Sequence, residues 1–300
     1  WKRANSQDNS KPDIIGKGKT MLTLLMPNPA ALIKTGKTKT LVIADPHLGW
    51  EMALQAKGIH VPSQTSKLLR KLVALLSKHK PDALLILGDV KYTVVKTETG
   101  EWHDIPEFFT ELKRHVNSIA IVRGNHDANL EPLLPENINL LPASGTVIGG
   151  IGLFHGHKWP SPALLKCKTL IMGHLHPMVV FSDPAGFKIT RQIWLKAQCN
   201  TEALAKLLLQ KHRAKIEGTT EATVKKHYGF KPQTTQMFIM PSFNDLLGGR
   251  PVNEAKQRKE VGSEALIGPV LRSEAVDVDN AELYLLDGTY LGTLNHLRRL

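Results

Sequence analysis

Three apolar runs of strand length, over residues 41–44, 83–87 and 119–122, each stop abruptly at a polar cluster. Such continuous runs, as opposed to alternating ones, indicate strands covered on both faces. An amphipathic helix lies between the first two, entered at Pro62 and Ser63, with Leu68, Leu69, Leu72, Val73 and Leu76 on one face. Pro81 stops it. Ile105, Phe108, Phe109, Leu112 and Val116 mark a second helix before the third run. The order βαβαβ implies right-handed crossovers and a largely parallel sheet, with functional groups at the carboxyl ends of its strands.

The clusters at those ends are Asp45-Pro46-His47, Gly88-Asp89 and Arg123-Gly124-Asn125-His126-Asp127. The layout recurs twice more. Residues 146–154 read as a strand leading to His155-Gly156-His157, and 169–172 as one leading to Gly173-His174-Leu175-His176. Further on, 179–181 and 187–195 read as antiparallel strands of a second sheet, joined by a turn at Asp183-Pro184-Ala185-Gly186. A helix is expected over 201–217, a polar connection over 218–235, a strand over 235–240 and a closing hairpin around Asp287-Gly288.

Residues 1–20 have few apolar positions and no periodicity, which predicts a disordered basic tail. Residues 21–300 are expected to form one domain, with a basic helical and loop insertion around 201–235. No apolar run approaches the roughly 20 residues that span a bilayer. The run from Met21 to Met26 is short and stopped by Pro27, so neither a membrane span nor a signal peptide is expected. Cys167 and Cys199 stand in no paired spacing, which argues against a disulfide framework or a cysteine zinc site and favours a reducing, cytoplasmic setting. Lysine and arginine outnumber aspartate and glutamate by 39 to 27, a formal charge of +12 that favours polyanionic partners. Between residues 201 and 260 there are 11 basic and 6 acidic residues.

Asp-x-His, Gly-Asp, Gly-Asn-His-Asp, His-Gly-His and Gly-His-x-His are each ordinary turns when met singly. Five of them at five successive strand ends, all carrying carboxylates or imidazoles, form a ligand set for two nearby cations. Two metals about 3.5–4 Å apart suit phosphate ester hydrolysis, because they activate water and absorb charge on the phosphoryl oxygens.

In this order the five motifs resemble the calcineurin-like metallophosphoesterase superfamily. More closely, IADPHLGWE, LGDVKY, VRGNHD, FHGHKWPS, IMGHLHP, IMPSFNDLLGGRPVN and YLLDGTYLG resemble archaeal phosphoesterases related to SbcD nucleases. The resemblance implies an α/β (α+β) fold, a four-layer αββα sandwich of two mixed sheets flanked by helices. It implies one metal on Asp45, His47, Asp89 and His176, a second on Asp89, Asn125, His155 and His174, and Asp89 as the bridge.

Imidazole and oxygen ligands suit Mn²⁺, Fe²⁺ or Zn²⁺, with Mn²⁺ first by family analogy. A metal-bridging hydroxide would attack phosphorus in line with the leaving oxygen. His126 would stabilise the developing charge or protonate the leaving alkoxide, and Asp127 would orient that imidazole. Arg123, Lys91 and His157 are candidates for contacting substrate phosphate. The segment Ser242 to Asp245 is expected to shape the pocket wall. The function implied is a phosphodiesterase or nuclease acting on nucleic acid. Its alternatives are a phosphatase or nucleotide phosphodiesterase with a small substrate, and a metal-binding scaffold without turnover.

Overall fold

In the computed structural model, residues 14–15, 20–55, 57–94, 99–249, 251–254 and 267–299 are described. The continuous apolar runs form strands because each is covered from both sides. In β4 (Thr38–Ala44), Leu41 and Ile43 face one way and Val42 and Ala44 the other. In β5 (Ala83–Leu87), Leu84 and Ile86 separate in the same manner from Leu85 and Leu87. This two-residue period sorts one stretch of sequence into two layers.

The first sheet begins as an antiparallel meander of β1 (Ile14–Ile15), β2 (Thr20–Leu24), β3 (Ala30–Thr35) and β4. It continues with parallel β5, β6 (Ser118–Val122) and β7 (Ile138–Leu141), giving the order β1-β2-β3-β4-β5-β6-β7. Ile14 pairs with Leu22 and Ile15 with Met21, so this part of the expected disordered tail is a strand. Thr20 opens β2, and the rest of the tail lies outside the described residues. The run from Met21, weighed in the sequence only as a membrane segment, supplies β2.

The second sheet has the order β15-β14-β12-β13-β10-β9-β8, and β11 pairs with β12. Its strands are β8 (Thr146–Ile148), β9 (Ile151–Phe154), β10 (Thr169–Met172), β11 (Met178–Ser182), β12 (Lys188–Cys199), β13 (Gln236–Ile239), β14 (Val276–Leu285) and β15 (Tyr290–Thr293). β9, β10 and β13 are parallel, and the other pairings are antiparallel. Residues 146–154 are therefore a hairpin, not one strand. Gly149 and Gly150 have φ of 57° and 81°, and this turn reverses the chain where apolar content alone ran on.

Helices cover both outer faces. Besides the short α1 (Met52–Gln55), the first sheet carries α2 (Thr65–His79) and α3 (Thr99–Leu112), whose Leu68, Leu72, Leu76, Phe108 and Phe109 meet Leu41, Ile43, Leu84 and Ile86. Each such leucine stabilises the fold by about 1.5–3 kcal/mol through burial. On the second sheet, Leu204 and Leu208 of α4 (Thr201–Lys211) and Val224 of α5 (Thr220–Tyr228) pack on Leu170, Met172, Leu195 and Ile239. Helix α6 (Leu294–Leu297) follows β15. Between the sheets lie Val42, Leu85, Leu87, Val122, Leu153, Ile171, Trp194 and Phe238. The fold is thus a sandwich of two mixed sheets between helical layers.

The helix expected over 201–217 ends at Lys211, and the expected polar connection contains α5. That helix is capped by the Thr219 side chain, which accepts from the Ala222 amide at 3.1 Å, and closed by Gly229 at φ 78°. It buries only Thr220, Thr223 and Val224, too few apolar groups to give a periodic signal. Among the described residues no helix is long and apolar enough to cross a membrane.

Candidate metal centre

Backbone hydrogen bonds continue past the ends of β4 and β5 and zip the two ligand turns together. The Asp45 amide donates to Gly88 O (3.2 Å), His47 to Asp89 O (2.9 Å) and Leu48 to Val90 O (2.8 Å). From the far end of the chain, the Phe243 amide donates to Ala44 O at 2.7 Å and the Ser242 hydroxyl to Asp45 O at 2.8 Å. The Asn244 side-chain amide donates to Pro46 O at 3.1 Å. Ser242 and Asn244 are fully buried. They clamp the first ligand turn, a role distinct from the pocket wall expected of them.

Five candidate ligands, Asp45, His47, Asp89, His174 and His176, have positive φ between 42° and 67°. Left-handed backbone costs an ordinary residue roughly 1 kcal/mol or more and gathers at functional sites. Close packing explains the small neighbours. A methyl group at Gly88 would strike the His155 ring, and one at Gly124 would strike the Asp89 carboxylate.

The side chains gather into two groups sharing one residue. Asp45, His47, Asp89 and His176 bring potential ligand atoms within 4.8 Å of one another, and so do Asp89, His155 and His174. Asp89 Oδ2 lies 3.4 Å from His47 Nε2 and 3.4 Å from His155 Nε2. His176 Nε2 lies 3.5 Å from Asp45 Oδ1. Asn125 Oδ1 and His174 Nδ1 stand 3.2 Å and 3.1 Å from His155 Nε2. Leu87 O, 2.7 Å from His155 Nδ1, can only accept, so it fixes the tautomer that leaves Nε2 free to coordinate.

Asp45, His47, Asp89 and His155 are almost wholly removed from solvent. Burial would raise the Asp45 carboxyl, but His176 and His155 hold it below its ordinary value. Asp89 is likewise held low, against its burial, by His155 and His47. Burial pushes His47 down to about 3, and burial with His155 pushes His174 to about 4, so both offer neutral lone pairs. His155 resists its burial and rises to about 9 because Asp89 and Asp45 flank it. Two carboxylates thus make a negative well inside a strongly basic protein.

Asp45 Oδ1, His47 Nε2 and His176 Nε2 are buried without hydrogen-bond partners. Unpaired buried polar atoms are costly, and three of them converging beside Asp89 are what a cation would satisfy. The donor set of carboxylate, imidazole and amide oxygen fits divalent metal ions.

Three residues singled out in the sequence are placed here differently from what the motifs implied. Asp127 does not orient His126. Its carboxylate accepts from the amides of Asp89 (2.9 Å), Val90 (2.8 Å) and Gly124 (2.7 Å), and so it ties the turn after β5 to the turn after β6 that carries Asn125. Burial and the Asp89 charge push Asp127 up to about 6. The group that orients His126 is Tyr92 O, bonded to its Nδ1, a backbone atom with no sequence signature. His126 lies at the rim with its side chain 21% exposed and Nε2 4.0 Å from Asp89 Oδ2.

Lys91 is fully buried, and its ammonium bonds to Thr93 O, which turns it away from the solvent-facing side of the cluster. Burial lowers its pKa while Glu101, Asp127 and Asp89 oppose that shift. Arg123 is engaged by Glu131. His157, the third of these candidates, is half-buried with its ring 5.2 Å from that of His155.

Three solved structures are similar to the chain over part or most of its length. The Pseudomonas putida nuclease MPE is 18% identical, with a TM-score of 0.48, over 92% of this chain and 96% of that one. The Aquifex aeolicus protein of unknown function AQ665 is 22% identical, with a TM-score of 0.33, over 45% and 77%. The Escherichia coli phosphoesterase Yfce is 19% identical, with a TM-score of 0.30, over 48% and 73%. No curated protein matches. The calcineurin-like phosphoesterase model matches residues 38–227, well over half of the 300, and the chain therefore belongs to that family of metal-dependent phosphoester hydrolases.

Proposed function

We propose that the protein is a dinuclear metal-dependent phosphodiesterase acting on nucleic acid. The observation that carries this reading is the shared carboxylate, Asp89 Oδ2, at 3.4 Å from an imidazole of each ligand group. Asp45, His47, Asp89 and His176 would hold one ion, and Asp89, Asn125, His155 and His174 the other. When bound, such ions supply positive charge for the phosphoryl oxygens and a water acidic enough to attack at neutral pH. Mn²⁺ is the first choice, ahead of Fe²⁺ and Zn²⁺.

The chain's own groups do the rest. With Nδ1–H directed to Tyr92 O, His126 presents Nε2 to the cleft, where its protonated form donates to the leaving oxygen. Asp127 and the Ser242–Asn244 clamp hold the ligand turns still. The charge of +12 supports a polyanionic substrate through long-range attraction. We take the chain from β1 at Ile14 onward as one domain, wider than the 21–300 expected from sequence because β1 pairs with β2, with a basic insertion around 201–235. We place the protein in the cytoplasm, because its two cysteines are free and buried.

The test compares wild type with Asp89→Asn and His126→Ala on bis-p-nitrophenyl phosphate and labelled single-stranded DNA and RNA, metal-free and with Mn²⁺. Mn²⁺-dependent polymer cleavage lost in both variants is expected. Turnover of the small diester alone would replace nucleic acid by a small substrate. No turnover on any phosphoester would leave a metal-binding scaffold.

A further inference from the structure

Beside the metal centre opens a second cavity of about 600 Å³, lined by His157, Lys158, Trp159, Lys211, His212 and Arg272. Its volume is in the range that holds a nucleotide-sized ligand. His157 joins the two spaces, with its ring 5.2 Å from that of His155 and 6.1 Å from that of His174. Its Nδ1 is buried with no hydrogen-bond partner among the described residues.

Among the described residues, every charged side chain lining this cavity is basic. Lys158 and Lys211 are both exposed. Trp159 is half-buried, packed on the apolar layer outside the second sheet, with the Lys211 ammonium 5.8 Å from its ring centroid. An aromatic face among cations is how proteins hold unpaired nucleotides: bases stack on the ring and phosphates meet the charges. An exposed lysine binds an indole more weakly than a stacked base does, so Lys211 can yield the ring and move to a phosphate.

We propose that this cavity seats the nucleotide next to the scissile phosphate of a single-stranded polynucleotide. Its base lies on Trp159, and the neighbouring phosphates meet Lys158 and Lys211. The assignment rests on the phosphodiesterase reading above and adds the side on which the strand leaves the metal centre. A duplex keeps its bases stacked, and a recessed indole cannot reach them.

The test is binding of fluorescein-labelled oligodeoxynucleotide and oligoribonucleotide, single-stranded and duplex, to metal-free protein. Trp159→Ala, Trp159→Phe and Lys158→Ala/Lys211→Ala are compared with Lys34→Ala/Lys37→Ala. That last pair removes equal charge at the opposite end of β4. Trp159→Ala should weaken single-strand binding about tenfold, and Trp159→Phe should keep most of it. The Lys158/Lys211 variant should flatten the salt dependence by about 1.4 in log-log slope, two phosphates' worth, and the remote pair should not. The oligomer with the tighter binding identifies the strand's sugar.

Equal loss in the remote pair, or unchanged single-strand binding in both Trp159→Ala and Lys158→Ala/Lys211→Ala, would overturn the proposal. So would duplex binding as tight as single-strand binding. Wild-type turnover of bis-p-nitrophenyl phosphate with Mn²⁺ is scored separately, so failure of the phosphodiesterase reading is visible apart from the binding result.

Discussion

Asp127 distinguishes two accounts of how this site works. If it oriented His126, its loss would cost catalysis and little stability. In the structure it instead accepts from three backbone amides of the turns after β5 and β6, two of them buried. Hydrogen bonds to a charged group contribute about 1.5–3 kcal/mol each, and three sharing one carboxylate are less than additive. Asp127→Ala should therefore cost about 4 kcal/mol, and the melting temperature should fall by roughly 10 °C.

The isosteric variant sharpens the test. Oδ2 serves the Asp89 and Gly124 amides, and Oδ1 serves Val90. Asp127→Asn can keep its single oxygen at the first position, but its NH₂ then faces the Val90 N–H, donor against donor. That loss is about 2 kcal/mol, or roughly half the melting shift. Activity on bis-p-nitrophenyl phosphate should fall about 10–100-fold, as for outer groups that orient metal ligands, and recover as Mn²⁺ is raised. Thermal melts of the metal-free variants and a Mn²⁺ titration of kcat read both effects. An unchanged melting temperature with a kcat deficit that Mn²⁺ cannot repair would refute this assignment and return Asp127 to His126.

His126→Ala should lower kcat by about 10²–10⁴-fold with unchanged melting and unchanged metal stoichiometry, read by elemental analysis beside kinetics. Lys91→Ala removes one member of a buried charge network and should destabilise by about 3–5 kcal/mol in a denaturant titration, while KM for the small diester holds. A KM rise without destabilisation would restore Lys91 as a substrate contact. Gly124→Ala puts a methyl group onto the Asp89 carboxylate and should cost about 1–3 kcal/mol and weaken metal binding, read by melting and calorimetry. Chelation should abolish turnover in wild type, and Mn²⁺ should restore it.

The parallel core of both sheets was legible because a strand buried on two faces has a dense local signature, and 83–87 and 169–172 coincide with β5 and β10. The candidate ligands were legible for the same reason, since each sits one to four residues past such a strand. What was not legible is weakly periodic or carried by the backbone. β2 and β3 form a half-exposed hairpin, and α5 buries only Val224 beside two threonines. The Thr219 cap and Gly229 were available as boundary signals for α5. No side-chain pattern could point to Tyr92 O or Leu87 O, because any residue carries a carbonyl. The clamp from Ser242 and Asn244 reaches the first ligand turn across nearly two hundred residues, a contact made by tertiary packing alone.

The two i, i+2 ligand pairs show how the sandwich makes the centre. Asp45 and His47 follow β4, a middle strand of the first sheet, and His174 and His176 follow β10 in the second. All four residues are left-handed, so each turn folds back and points both ligands of its pair toward the facing sheet. They meet where the His174 amide donates to Asp45 Oδ2 at 2.9 Å and His176 Nε2 lies 3.5 Å from Asp45 Oδ1. Neither sheet holds a complete ligand set. The strain in five left-handed residues, of the order of 5 kcal/mol, is comparable to the net stability of a whole domain. It persists because the apolar layer from Val42 to Phe238 fixes the sheets against each other, and the amides zipped along β4 and β5 leave the turns no relaxed alternative. Loosening that layer should therefore separate the two halves of the metal centre before it unfolds either sheet.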